Sequence, residues 1–279
     1  VSESIRVLQG AYALAVVSVA QPDRIVVARK GSPIVIGLGV RENFVASDIY
    51  ALLPVTQRFV FLEEGDIAEV TRDAVDIYDS YGRRVTRPET LSNLSSEAAD
   101  KGGYKHFMLK EILEQSSAVA ETLEGRIESG SILEAGFEKK ILESIKDIEA
   151  VTVIACGTSY HAALIMKYWV EQIIGIPCRV EVASEYRYKK PIVGKNELFV
   201  AVSQSGETAD TLAALRYAKE FSYVASLAIC NVAQSSIVRA ADCAILTRAG
   251  PEIGVASTKA FTTQLVVMLM LVVLIAKRL

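Results

Sequence analysis

From Val151 onward the chain alternates between apolar runs of strand length and stretches of helical period, and few folds accommodate that pattern. VTVIAC (151–156), CRVEVA (178–183), LFVAVS (198–203), VASLAIC (224–230) and CAILT (243–247) are short, largely apolar runs. Strands of this kind belong in the middle of a sheet covered on both faces. Between them, residues 160–174, stopped by Gly175, and residues 208–220 predict helices, and a last helix runs from Lys259 to the end. The fold class expected is α/β, a doubly wound parallel sheet with flanking helices.

Residues 1–87 follow a different rhythm. AYALAVVSV (11–19), RIVVARKG (24–31) and PIVIGLG (33–39) are short apolar runs with turn residues between them. RFVFLEEGDIAEV (58–70) breaks at Glu64-Gly65-Asp66, and AVDIYDSYGRRV (74–85) alternates around Ser80-Tyr81-Gly82, as a hairpin would. Residues 47–53 predict a brief helix. This part is β-rich. The polar stretch PETLSNLSSEAADKGG (88–103) then marks a boundary. Beyond it, Met108, Ile112, Val119, Leu123 and Ile127, and then Phe137, Ile141, Ile145 and Ile148, recur at helical spacing and predict two helices.

Composition narrows the partners. With 30 basic and 33 acidic residues the net charge is -3, which argues against a nucleic-acid partner. Cys156, Cys178, Cys230 and Cys243 form no C-x-x-C pair, and His106 and His161 fall at no ligand spacing, so no metal site is expected. Cys178 and Cys230 read as buried free thiols in a reducing, cytoplasmic compartment. The run LVVMLMLVVLIA (265–276) has 12 residues, short for a bilayer, and is expected to be a buried helix. The chain begins at Val1 without a basic, then apolar leader, and both ends are expected to be cuts through a longer protein.

The residues that carry chemistry follow the apolar runs. Strand 151–156 leads into Gly157-Thr158-Ser159, and strand 198–202 into Ser203-Gln204-Ser205-Gly206-Glu207-Thr208. Both turns leave the carboxyl end of a strand and open a helix, the edge at which open α/β sheets bind ligands. Helix starts present unpaired backbone N–H groups and a partial positive charge, so an anion such as a phosphate can be held there without Lys or Arg. Gly157 and Gly206 would let a ligand approach the backbone. Helix capping explains one such turn equally well, with Glu207 capping its own helix, but two at one sheet edge favour a site. Neither turn is a P-loop or a dinucleotide fingerprint. A third segment, 250–259, also lies between a strand and a helix. Ser257 or Thr258 is available to cap that helix, or the loop closes over the same ligand. Lys259 is open to three readings, a ligand contact, a solvated helix-start charge or a structural ion pair, and the last two are preferred.

Cys156-Gly157-Thr158-Ser159, the segment 203–211 and the segment EIGVASTKAFT (252–262) resemble the sugar isomerase (SIS) domain. With KGGYKHFMLKEILEQ (101–115), similar to the stretch joining that family's two domains, the whole chain resembles the glutamine–fructose-6-phosphate aminotransferase (isomerizing) family, the glucosamine-6-phosphate synthases. The resemblance implies that 1–90 is the latter half of an N-terminal-nucleophile glutaminase (type 2) domain, 91–103 a linker and 104–279 the first SIS subdomain. It assigns Thr158, Ser159, Ser203, Gln204, Ser205 and Thr208 to fructose 6-phosphate, and Val255 and Ser257 to its sugar end. In the family, ammonia released from glutamine aminates the opened sugar to give glucosamine 6-phosphate, in amino-sugar biosynthesis.

Two departures follow. Position 1 is Val1 where the family's glutaminase has its nucleophilic cysteine, and the Schiff-base lysine, proton-shuttling glutamate and ring-opening histidine belong to a second SIS subdomain. No residue of this chain is therefore given a catalytic role, no cofactor is implied, and the chain alone is expected to be inactive. His106 is expected to pack in a helix, and His161 to stand behind the site. The implied partners are the sugar phosphate, glutamine through the rest of the glutaminase half, and a second copy in a homodimer. A SIS-type sugar-phosphate isomerase or a sugar-phosphate-sensing module is the alternative; the β-rich first part counts against both.

Overall fold

The computed structural model describes residues 1–92 and 100–279. The chain divides into two compact units, Val1–Asp100 and Lys101–Leu279. Most of the stretch expected to be a linker, residues 93–99, lies outside the described residues.

Among its described residues the first unit contains a four-residue helix α1 (Ser2–Ile5) and nine strands: β1 (Tyr12–Ser18), β2 (Gln21–Lys30), β3 (Val35–Leu38), β4 (Asn43–Ala46), β5 (Arg58–Phe61), β6 (Ile67–Thr71), β7 (Val75–Tyr78), β8 (Arg84–Val85) and β9 (Glu89–Leu91). They form two antiparallel sheets, ordered β1-β2-β6-β7-β8 and β4-β3-β5-β9. Side-chain alternation decides the packing. Val27, Ile36, Val60, Ala68, Val70 and Ile77 meet in one core, while Val35 and Phe59, one position off Ile36 and Val60, turn to the other face and bury against Leu52 and Leu53. The turn that supplies those leucines is a short 3₁₀ segment, Ile49–Ala51, with the Asp48 carboxylate accepting from the Tyr50 amide. Strands β4 and β9 were not anticipated. Each is at most four residues long and sits at an edge, where few apolar positions are needed.

The second unit opens with α2 (Phe107–Leu113) and α3 (Gln115–Leu123), then a small hairpin, β10 (Ile127–Glu128) and β11 (Ser131–Ile132), and α4 (Lys139–Ser144). The two helices expected here are corrected accordingly. The first is two short helices that end before Ile127, which lies in a strand; in the second only six residues are helical, although Phe137, Ile141, Ile145 and Ile148 are all buried. Burial there is real, but it is reached by an irregular chain.

After this come β12 (Ala150–Ala155), α5 (Gly157–Trp169), β13 (Cys178–Val182), α6 (Ala183–Tyr186), β14 (Glu197–Ser203), α7 (Ala209–Ala218), β15 (Ala225–Cys230), α8 (Ser236–Ala240), β16 (Cys243–Leu246) and α9 (Lys259–Ala276). The five strands pair in parallel throughout, in the order β13-β12-β14-β15-β16. Val151, Val153, Leu198, Val200, Leu227 and Ile229 bury against α4, α5 and α9, whereas Ile154, Phe199, Ala201 and Ala228 bury against α6, α7 and α8. The expected doubly wound α/β fold is what forms.

Among the described residues α9 is the one helix long and apolar enough to cross a membrane, with a mean hydropathy of 2.1, yet 61% of it is buried inside the unit. Val267, Met268, Leu271, Leu274 and Ile275 are core residues of the second unit.

Candidate functional site at the sheet's carboxyl edge

The strand order places the two hydroxyl turns. From β12 the chain passes through α5 outward to β13, then returns across to β14 on the other side of β12. The order therefore reverses between β12 and β14, and helices α5 and α7 leave these strands on opposite faces. Such a switch point leaves a crevice at the carboxyl ends of the two strands. Pairing of Ile154 with Ala201 brings Cys156 and Ser203 to the same level, so Gly157-Thr158-Ser159 and 203–208 flank that crevice.

The first turn is the opening of α5 itself, three residues earlier than the helix expected at Tyr160. Gly157 has φ +57, and a Cβ there would meet nothing within 4 Å. The space over this backbone is open, as a ligand approach requires. Thr158 is exposed and Ser159 buried, and no residue among those described engages either hydroxyl.

The second turn is braced by its own side chains. Buried Ser203 accepts at Oγ from the Gly206 amide (3.0 Å) and contacts Thr208 Oγ1 (3.0 Å). Ser205 Oγ accepts from the Glu207 amide (3.2 Å), which leaves its proton available to a ligand. Gln204 and Ser205 are half-buried. Gly206 differs from the expectation of ligand access. Its φ is +67, but a Cβ would run into Ser235 and come within 2.6 Å of Cys230 Sγ, so the glycine is needed for the protein's own packing. Glu207 is a correction as well. It caps α8, accepting the Ser236 amide at Oε1 (2.7 Å), and Thr208 is the residue that precedes α7. Beneath the turn, burial pushes the Cys230 thiol up, so it stays a neutral donor to the carbonyls of Gln204 and Val232 (3.6 and 3.7 Å).

Residues 250–258 lead from β16 to α9. Neither Ser257 nor Thr258 caps α9 with its side chain; the Glu252 carboxylate does so, accepting from the amides of Thr258 (2.8 Å) and Ala260 (3.1 Å) and from the Ser257 hydroxyl (3.1 Å). Lys259 is buried, with its ammonium 2.6 Å from Glu114 at the start of α3, so of its three readings the structural ion pair is the one the geometry favours. Val255 is fully exposed and Ser257 half-buried. Sequence reasoning missed Asn231. Its carboxamide accepts from Thr247 Oγ1 (3.0 Å) and the Ala249 amide (2.8 Å) and donates to the Gly250 carbonyl (2.7 Å), tying the end of β15 to the loop.

The histidines lie outside this frame. His106 is exposed and precedes α2 rather than sitting in it, and His161 is exposed on α5, edge-on to Tyr160. No cluster of His, Cys, Asp or Glu among the described residues has a metal-binding arrangement.

A family model, the SIS domain, matches residues 144–274, which span all five parallel strands and the three segments above. The chain carries a SIS domain. Its sequence is similar to proteins named glutamine–fructose-6-phosphate aminotransferase [isomerizing]. It is 59% identical over 269 residues to that protein of Pseudomonas aeruginosa, covering 96% of this chain and 44% of the relative. It is 56% identical over 277 residues to that of Idiomarina loihiensis, covering 99% and 45%. The chain thus spans under half the length of these relatives. Among solved structures it is similar to the C-terminal domain of glucosamine-fructose-6-phosphate aminotransferase from Francisella tularensis, with TM-score 0.62 and 51% identity over 64% of this chain and 50% of that one. A phosphosugar isomerase structure from Silicibacter pomeroyi follows at TM-score 0.52 and 28% identity, covering 61% and 50%.

Proposed function

We propose that this chain supplies the fructose 6-phosphate site of a glutamine–fructose-6-phosphate aminotransferase of amino-sugar biosynthesis. The observation that carries the reading is the pair of hydroxyl turns flanking the switch point between β12 and β14. Backbone amides at the start of α5, the free hydroxyls of Thr158 and Ser159, and the donor left on Ser205 suit a phosphate held by neutral groups. Gln204 and Thr208 complete that wall, and Val255 and Ser257 face the sugar end.

The division of labour belongs to the same proposal. Residues 1–90 stand for the latter part of a glutaminase domain, 91–103 for the junction and 104–279 for the first SIS subdomain. The chain holds the sugar phosphate and orients it; the groups that open the ring, shuttle its proton and carry the amine come from elsewhere in the assembled enzyme, which works as a dimer in the cytoplasm.

The test is the thermal midpoint of the chain with and without fructose 6-phosphate, in parent and Ser205→Ala. Ligand at 100 times its dissociation constant adds about 2.7 kcal/mol to stability. A shift in the parent that shrinks in Ser205→Ala supports the reading. A folded parent that does not respond overturns it for this chain.

A further inference from the structure

The loop that carries Val255 and Ser257 is pinned from two sides by carboxylates, one of them 142 positions away in sequence. Glu111, on α2, is 2% exposed. Its Oε1 accepts from the amides of Ile253 (2.6 Å) and Gly254 (2.9 Å). Its second oxygen has no hydrogen-bond partner among the described residues and lies where a Cβ on Gly254 would come within 2.5 Å. Glu252 holds the other end of the loop through the amides of Thr258 and Ala260 and the Ser257 hydroxyl. Between these two clamps Val255 projects fully into solvent.

That combination is unusual for a surface loop. Glu252 is half-buried, but a buried carboxylate such as Glu111 is costly unless the donors it meets are well placed, and here those donors are backbone amides of the loop itself. Spending buried charge to fix a stretch whose own apolar side chain stays exposed does little for the core. It does fix where Val255 and the Ser257 hydroxyl stand relative to the strand ends.

We infer that Glu111 and Glu252 are positioning residues that set the sugar end of the site, with Glu111 acting from α2 through the Ile253–Gly254 backbone. This rests on the sugar-phosphate reading above. The two ends of the ligand then depend on different residues: the phosphate on the 203–208 turn, the sugar on the clamped loop.

The experiment uses two ligands on this chain, fructose 6-phosphate and inorganic phosphate, titrated into parent, Glu111→Ala, Glu111→Gln and Gly254→Ala. The last reaches the same contact from the loop side: Gly254 has no left-handed φ, so an alanine is acceptable to the backbone but displaces the Glu111 carboxylate. Glu111→Ala and Gly254→Ala are expected to weaken fructose 6-phosphate binding about tenfold, the size of one charge-assisted hydrogen bond, with phosphate binding unchanged. Glu111→Gln, which keeps an oxygen acceptor, is expected to recover most of the affinity. Equal loss of both ligands, or unchanged fructose 6-phosphate affinity in folded Gly254→Ala, would overturn the inference. If Glu111→Ala does not fold, Gly254→Ala decides. A parent that binds neither ligand removes the site reading itself, and this inference with it.

Discussion

Glu207 Oε1 accepts the Ser236 amide at 2.7 Å, so the acidic residue of the second hydroxyl turn caps α8, a helix that starts after the next strand. The turn is therefore held from outside as well as within. Glu207 ties it to α8, Cys230 and Ser235 fill the space beside Gly206, and Ser203 bonds back to the Gly206 amide. A ligand arriving here meets a shape already built, and does not have to provide the ordering energy of a loose loop.

Gly206→Ala is expected to unfold or severely destabilise the second unit. The left-handed φ of +67 and the overlap of the new methyl with Ser235 and Cys230 act together, and overpacking alone costs about 1–3 kcal/mol. Gly157→Ala is the control: its φ is also positive but its methyl meets nothing. Denaturant midpoints of the two variants separate the terms. Equal losses would mean that packing around Gly206 contributes nothing.

Ser203 and Ser205 are expected to differ in kind. Ser203→Ala leaves the Gly206 amide and Thr208 hydroxyl without their partner in a buried place, a loss of about 1–3 kcal/mol of stability in addition to any effect on ligand. Ser205 is half-buried and accepts one longer bond, so Ser205→Ala should leave stability within about 0.5 kcal/mol of the parent while weakening fructose 6-phosphate binding. Thermal unfolding without ligand, beside a ligand titration, checks both. A Ser205 variant as unstable as the Ser203 one would contradict the assignment.

What could be read from the sequence was whatever depends on neighbours along the chain. Strand runs such as 198–203 showed themselves because both faces are buried, and the hydroxyl turns because a turn must follow a strand. Short elements such as α6, α8, β4 and β9 bury too few residues to leave a period. The roles of Glu207, Glu252 and Glu111 were out of reach for a different reason. In sequence Glu207 reads as a cap for its own helix and the other two as surface charges; Glu252 serves amides six and eight residues on, while only the fold brings Glu207 and Glu111 to theirs. Glu111 and Gly254 are the extreme case, because α2 must pack beside the loop before either has a partner.

The Lys259–Glu114 pair makes an asymmetric prediction. Lys259 is 4% exposed while the Glu114 side chain is 32% exposed, so the lysine depends on the glutamate more than the reverse. Glu114→Ala leaves a buried ammonium without its 2.6 Å partner and is expected to cost about 2–3 kcal/mol, somewhat below a fully buried pair. Lys259→Met removes the buried charge and fills its volume, and Glu114 can turn to water or to Lys110, 3.7 Å away, so the loss should be under about 1 kcal/mol. Chemical denaturation of the two variants tests the order; the reverse order would show that the ammonium finds other compensation.

Alkaline pH should weaken the second unit through its buried thiols. Burial, with a smaller contribution from Glu171, pushes the Cys178 thiol from 9.0 to about 12, and burial pushes Cys243 to about 11. Both folded values are raised above the unfolded one. The folded chain therefore holds these protons more tightly, and the stability they contribute is fully present below about pH 9 and is lost as pH rises through about 11 to 12. Each thiol can change the slope by at most about 1.4 kcal/mol per pH unit in that window. Denaturant midpoints from pH 8 to 11 should fall beyond pH 9, and Cys178→Ala, though weaker at pH 8 from the lost packing, should fall less steeply. A Cys178→Ala slope equal to the parent's would show that other groups govern the alkaline limb.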